Sequence, residues 1–135
     1  MTTSEPSLDT EISAAASSKD CFSIDAPVSG GDIGAKNGRL AIFAGGDESV
    51  VKRLSPLFAL LGKVDYMGDT GKGQFAKLAN QITVASTMVG LVEGMVYAHK
   101  AGLDVGLFLE AISGGSAGSK SLDTHGNRIL SLGFM

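Results

Sequence analysis

The sequence predicts an α/β segment followed by an all-α segment, and three observations carry that expectation. Short β-prone runs alternate with helical patterns as far as about residue 69. Beyond the cluster Gly68-Asp69-Thr70-Gly71, neither proline nor a turn cluster interrupts the chain from Gln74 to about Ala101. Glycine supplies 19 of 135 residues, roughly twice the average share of about 7%, with no collagen-like period. These glycines serve turns and close backbone approaches. The expected domains are 1–69 and 70–135, with no internal repeat between them.

Each element has a local reason. Leu8, Ile12 and Ala15/Ala16 recur at helical steps, with Ser4 as the expected cap and Pro6 in the first turn. Cys21 to Val28 is a short β-prone run that Pro27 ends or places at a sheet margin. Ser29-Gly30-Gly31 reads as a loop, and Asn37-Gly38 is the strongest turn dipeptide in the chain. Arg39 to Ala44 is a strand closed by Gly45-Gly46. Asp47 caps a helix over 48–61, with Val50, Val51, Leu54, Leu57, Phe58 and Leu61 on one stripe and Gly62 as its stop. Lys63 to Met67 is a further strand. In the long helix from Gln74, Phe75, Leu78, Ile82, Ala85, Val89, Val92 and Val96 form an apolar stripe. Gly90 and Gly94, four apart, let another helix approach. Gly102 stops the long helix, Asp104 caps a short one to Ile112, and a last helical run extends from about Ser119 to Met135.

Composition excludes several classes of function. At 44% hydrophobic and 19% charged residues the chain has material for a core. A net charge of −3 gives no electrostatic reason for a nucleic-acid or membrane-surface partner. Cys21 stands alone, so no disulfide framework forms, and His99 and His125 make no local metal motif. The uncharged run from Leu78 to Val92 contains Asn80, Gln81, Ser86 and two threonines; a spanning helix needs about 20 mostly apolar residues. The N-terminus has neither the basic and apolar regions of a signal peptide nor the arginines of a mitochondrial presequence.

Three stretches carry candidate chemistry. Gly71-Lys72-Gly73-Gln74-Phe75-Ala76 fits the loose dinucleotide fingerprint, but the acid expected about 20 residues on is Glu93, in mid-helix. Lys77 and Asn80, three apart, share a helix face, with Gln81 beside them. A helix N-terminus disfavours a cation. Partial burial among Phe75, Leu78 and Ile82 would further lower the Lys77 pKa toward useful proton exchange. A solvated surface lysine is the plain alternative. Ser29-Gly30-Gly31, at a strand end, offers a hydroxyl and unhindered N–H groups suited to a carboxylate, against the alternative of an ordinary turn.

The stretch DAPVSGGDIGAKNGRLAIFAGG resembles the substrate loop of the β-hydroxyacid dehydrogenases, and GKGQFAKLAN resembles their G-x-G-x-x-x-K-x-x-N catalytic motif. The likeness runs over nearly the whole chain and is strongest to the 3-hydroxyisobutyrate dehydrogenase-like branch, of plant type. It implies the C-terminal part of a Rossmann-like NAD(P)-binding domain over 1–69 and the first helices of an all-α dehydrogenase domain over 70–135. It further implies Lys77 as catalytic acid/base, Ser29, Gly30 and Gly31 as the substrate-carboxylate loop, Asn80 as a substrate-orienting amide and Thr3 as a cofactor contact. Family members begin with a strand and a G-x-G-x-x-G turn upstream of the Thr3 segment, and they continue past the third helix of the second domain to a Lys-Asp motif. The resemblance therefore implies a fragment.

The activity that the resemblance implies is hydride transfer between NAD or NADP and a small 3-hydroxyacid or semialdehyde, in a homo-oligomer, in mitochondria or cytosol. The discriminator between NAD and NADP belongs to the first βαβ unit. Two other readings stand beside the enzyme: a non-catalytic remnant that associates with intact subunits, and an unrelated small acidic binding module. With its leading strands absent, the sheet is expected to leave an edge and an apolar face uncovered.

Overall fold

A computed structural model describes residues 1–132. Its elements run α1 (Pro6–Ser17), β1 (Val28–Ser29), α2 (Gly31–Lys36), β2 (Leu40–Gly45), α3 (Glu48–Phe58), β3 (Gly62–Gly68), α4 (Lys72–Lys100), α5 (Val105–Ser113) and α6 (Lys120–Ser131). An α/β part thus precedes an all-α part, as expected. The compact units are Met1–Asn80 and the part from Gln81 onward, so α4 starts in the first and continues in the second.

The first unit is built on a three-stranded sheet in the order β1-β2-β3. β1 pairs antiparallel with β2 through Val28↔Ile42 and Ser29↔Ala41, and β2 pairs parallel with β3 across the α3 crossover. The β-prone run before β1 joins the sheet only at the bridge Asp25↔Gly45 and where the Phe43 N–H donates to the Pro27 carbonyl at 2.9 Å. Pro27 has no N–H of its own to give, which suits this marginal position. Ala26, Leu40, Ile42, Ala44, Val51 and Phe58 form the core, with Leu54, Leu61 and Val64 packed against it.

Several local expectations are corrected. Glu5, not Ser4, is the N-cap of α1; it makes no side-chain cap bond, and the Ser4 hydroxyl donates to Asp9 instead. The helix buries no residue, so its Leu8–Ile12 stripe stays exposed. The stretch after Ser29 read as loop contains α2. Asp47 does cap α3, accepting from the Ser49 and Val50 N–H groups, but the helix ends at Phe58 rather than 61. Past Pro56, which lies inside its last turn, the chain leaves the helix through the shorter Leu60-to-Leu57 and Leu61-to-Phe58 bonds. Gly62 opens β3 instead of stopping the helix, because a Cβ there would collide with the Leu40 backbone.

In the second unit Leu91, Met95 and Ala98 of α4 pack against Val105 and Leu109 of α5 and Leu122 of α6. The Asp104 carboxylate caps α5 on the Leu107 N–H, and the Ser119 hydroxyl caps α6 on the Leu122 N–H. The final stretch expected to remain helical includes 133–135, which lie outside the described residues. Gly94 accepts the Phe108 ring of α5 at 3.9 Å from where a Cβ would stand. Gly90 meets nothing and lines an apolar cavity of about 330 Å³ with Leu91, Phe108 and Ile112. Among the described residues no helix is long and apolar enough to cross a membrane.

Candidate functional site

The start of α4 turns its polar side inward. Gln74 and Lys77 are buried, Lys77 to 9% exposure, whereas Phe75 and Ile82 are 57% and 70% exposed. This corrects the expectation that Phe75, Leu78 and Ile82 would shelter the lysine: all three stand exposed, and the amine is buried on another face. Burial alone accounts for a Lys77 pKa below its ordinary 10.5, since dehydration penalises the charged form. Three residues on, the Asn80 Oδ1 is buried with no hydrogen-bond partner among the described residues. An unmet buried acceptor costs about 1–3 kcal/mol, so this atom suits an incoming donor.

A carboxylate that sequence reasoning left without a role holds this arrangement. Asp25, buried in the extended segment before β1, accepts from the Gly71 N–H at 2.9 Å and from the Gln74 N–H at 3.0 Å. It serves α4 as a remote N-cap and complements the positive end of the helix dipole. The close fit depends on two glycines. A Cβ on Gly45 would lie 2.6 Å from Asp25 Oδ1, and one on Gly73 would strike both Asp25 Oδ2 and the Phe43 carbonyl. Because the internal carboxylate takes these N–H groups, the helix start is not a phosphate seat. The loose fingerprint match at 71–76 thereby loses its anion-binding role.

Ser29 ends β1, four residues along the chain from Asp25, and Gly30 and Gly31 form the turn into α2. Gly30 (φ 132°) and Gly31 (φ 63°) both occupy backbone conformations that side chains disfavour. Gly30 is also the N-cap of α2 and makes no side-chain cap bond, so the first-turn N–H groups keep their capacity for an acceptor. The structure thus ties the Lys77 helix to the strand that leads into the Ser29 turn.

Thr3 is exposed, between two residues that Gln74 holds: the Ser4 N–H donates to Gln74 Oε1 and Gln74 Nε2 donates to the Thr2 carbonyl, each at 3.0 Å. Asp9 lies beside this contact. Its pKa is raised by burial first and by the Asp25 charge second, and hydrogen bonds from Ser4 and Gln74 oppose the rise. Neither Asp25 nor Gln74 carries a local sequence signal. Their partners sit 46 to 72 positions away, and only the Gly73-Gln74 step hints at a crowded helix start.

Residues 1–82 match the family model for the NAD-binding domain of 6-phosphogluconate dehydrogenase. Residues 71–134 match the model for the NAD-binding domain of NADP-dependent 3-hydroxyisobutyrate dehydrogenase. The chain belongs to the 3-hydroxyisobutyrate dehydrogenase-like family. It is 75% identical over 134 residues to "Probable 3-hydroxyisobutyrate dehydrogenase-like 1, mitochondrial" of Arabidopsis thaliana, covering 99% of this chain and 40% of that protein. Among solved structures it is similar to the 3-hydroxyisobutyrate dehydrogenase of Mycobacterium tuberculosis with L-serine, at 33% identity and TM-score 0.80, covering 91% of this chain and 42% of the other. It is also similar to Psf3 in complex with NADP+ and 2-OPP, at 26% identity and TM-score 0.88, covering 97% and 46%. The chain therefore spans less than half the length of these three proteins. Family membership discards the unrelated acidic module.

Proposed function

We propose that this chain carries the substrate side and part of the cofactor side of an NAD(P)-dependent oxidoreductase acting on a small 3-hydroxyacid or its semialdehyde. Lys77 is the acid/base: it takes the substrate hydroxyl proton on oxidation and returns it on reduction. The Ser29-Gly30-Gly31 turn receives the substrate carboxylate on its hydroxyl and N–H groups, and Asn80 orients the reacting end through its unmet Oδ1. NAD or NADP, when bound, supplies the hydride chemistry. Exposed Thr3 fits its nicotinamide end, whereas the helix start filled by Asp25 does not fit its pyrophosphate. The intact site is read as part of a homo-oligomer, in mitochondria as the plant relative's name has it, or in the cytosol.

The single observation behind this reading is the inverted start of α4, with a buried, pKa-lowered lysine on its polar face. The test is NAD(P)+-dependent oxidation of short 3-hydroxyacids by protein carrying this chain together with the dinucleotide-binding segments of its relatives. Lys77→Ala should lose about 10²–10⁴ in kcat, the usual worth of a positioned acid/base, and added methylamine should restore part of it. Equal loss on replacing exposed Lys52, or full activity without Lys77, would sink the assignment.

A second reading has one observation in its favour. The exposed apolar residues of α4 suit a non-catalytic chain that associates with intact subunits. Co-elution with an intact relative supports this reading, and separate elution at all ratios removes it.

A further inference from the structure

Gln74 makes a contact that the proton-transfer scheme leaves without a task. Its side chain is almost fully buried, and its amide spans the Thr2 carbonyl and the Ser4 N–H. Bonding to the C=O of one residue and the N–H two residues later is the pattern that a parallel strand makes around the residue between. The amide thus stands in for a strand neighbour centred on Thr3. It directs the backbone groups of Thr3 to the opposite side, and the residue itself remains exposed. Gln74 is fixed at its own backbone as well, through the N–H held by Asp25. It shares a helix face with Lys77, three residues on. The clasp does not serve to dock an apolar helix, because α1, just downstream of the clasped segment, buries no residue.

We propose that Gln74 is a positioning residue for the cofactor side of the site, its amide holding Thr3 presented to the nicotinamide group on the helix face that carries Lys77. This rests on the reading of Thr3 as a nicotinamide contact and of Lys77 as the acid/base. Gln74 touches neither substrate nor cofactor; it acts through Thr3.

The experiment titrates the full chain with nicotinamide mononucleotide and, in a parallel arm, with a short 3-hydroxyacid, following amide resonances by NMR. The Thr3 amide of the native chain should move saturably with the mononucleotide. In Gln74→Ala the Ser4 amide should lose its hydrogen-exchange protection and mononucleotide affinity should fall at least tenfold. Gln74→Met, which keeps the length and packing of the side chain but makes neither bond, should show the same two losses and guards against an alanine variant that fails to fold. A Thr3 amide that never responds in the native chain, or native affinity in Gln74→Ala, overturns the proposal. Lys52→Ala, at an exposed lysine of α3 outside the site, should leave the Thr3 response intact. Loss confined to the hydroxyacid arm on replacing Gln74 would also overturn the proposal. A native chain whose Thr3 responds while Lys77 and the Ser29 turn ignore the hydroxyacid contradicts the acid/base reading and leaves Gln74 its role.

Discussion

At position 77 burial works against the charge that the side chain carries in water. The folded value lies below the unfolded 10.5, so between the two the unfolded chain binds more protons and stability rises with pH. The penalty is fully present below the folded value and lifts as pH approaches 10.5. Denaturant titrations should therefore show the native chain gaining on Lys77→Met as pH climbs into that window; a constant difference would contradict the cause given for the shift. Under the proposed acid/base role of Lys77, catalysis should track the same titration: hydroxyacid oxidation by the intact protein should rise with pH through the depressed value, and aldehyde reduction should fall. At Asp25 the consequence is structural. Asp25→Ala leaves two N–H groups unmet and should cost about 2–3 kcal/mol in urea unfolding. Asp25→Asn, which keeps one acceptor, should cost less. Lys77 and the Ser-Gly-Gly turn could be proposed from the sequence because each pairs a residue type with a chemistry inside one short window. Asp25 could not, because its partners are remote and nothing beside it marks a carboxylate as buried.

For whole elements, periodicity was the readable signal and burial the unreadable one. The three-and-four-residue recurrence located α4, and the Asp47 and Asp104 caps located the starts of two other helices, because these patterns are local. The same recurrence gave no means of knowing that Phe75, Leu78 and Ile82 would face outward. That choice is made by hydrogen bonds, the Asp25 cap and the Gln74 clasp, which pull the polar side in. The apolar stripe of α3 continues to Leu61, but the helix passes through Pro56 and ends at Phe58, where the chain tightens into the shorter Leu60-to-Leu57 and Leu61-to-Phe58 bonds. The seating of α4 makes Gly73 the sensitive point of the junction. Gly73→Ala drives a methyl group into the Phe43 carbonyl and the Asp25 carboxylate, and forced repacking of this kind costs about 1–3 kcal/mol. A matched replacement at Gly90, where a Cβ meets open space and alanine is the better helix former by about 1 kcal/mol, should unfold at the native urea concentration or above it. Equal losses at the two positions would refute the crowded-junction account.

On the scale of the molecule, the question is what an α4 helix apolar on two faces does in water. In the second unit Leu91, Met95 and Ala98 are covered, while Ile82, Val89, Val92 and Val96 stand exposed on the opposite side. A helix apolar all round is normally buried. The exposed residues keep steps of seven, three and four, the spacing of a seam that another helix fills. Such a stripe offers a few hundred Å² on each copy, at the low end of specific interfaces, which bury about 1,200 Å² in total. The relatives are more than twice as long, and the same face in a longer chain has more neighbours available to cover it. For the chain of 135 residues we predict weak, concentration-dependent self-association through this stripe. Sedimentation velocity at rising concentration should show a growing average mass. Ile82→Glu with Val89→Glu, both on the solvent side of the helix, should hold the chain monomeric without lowering its melting midpoint. A native chain that stays monomeric throughout, or a double variant that associates as strongly as the native chain, would show that the stripe is tolerated by solvent and drives no contact.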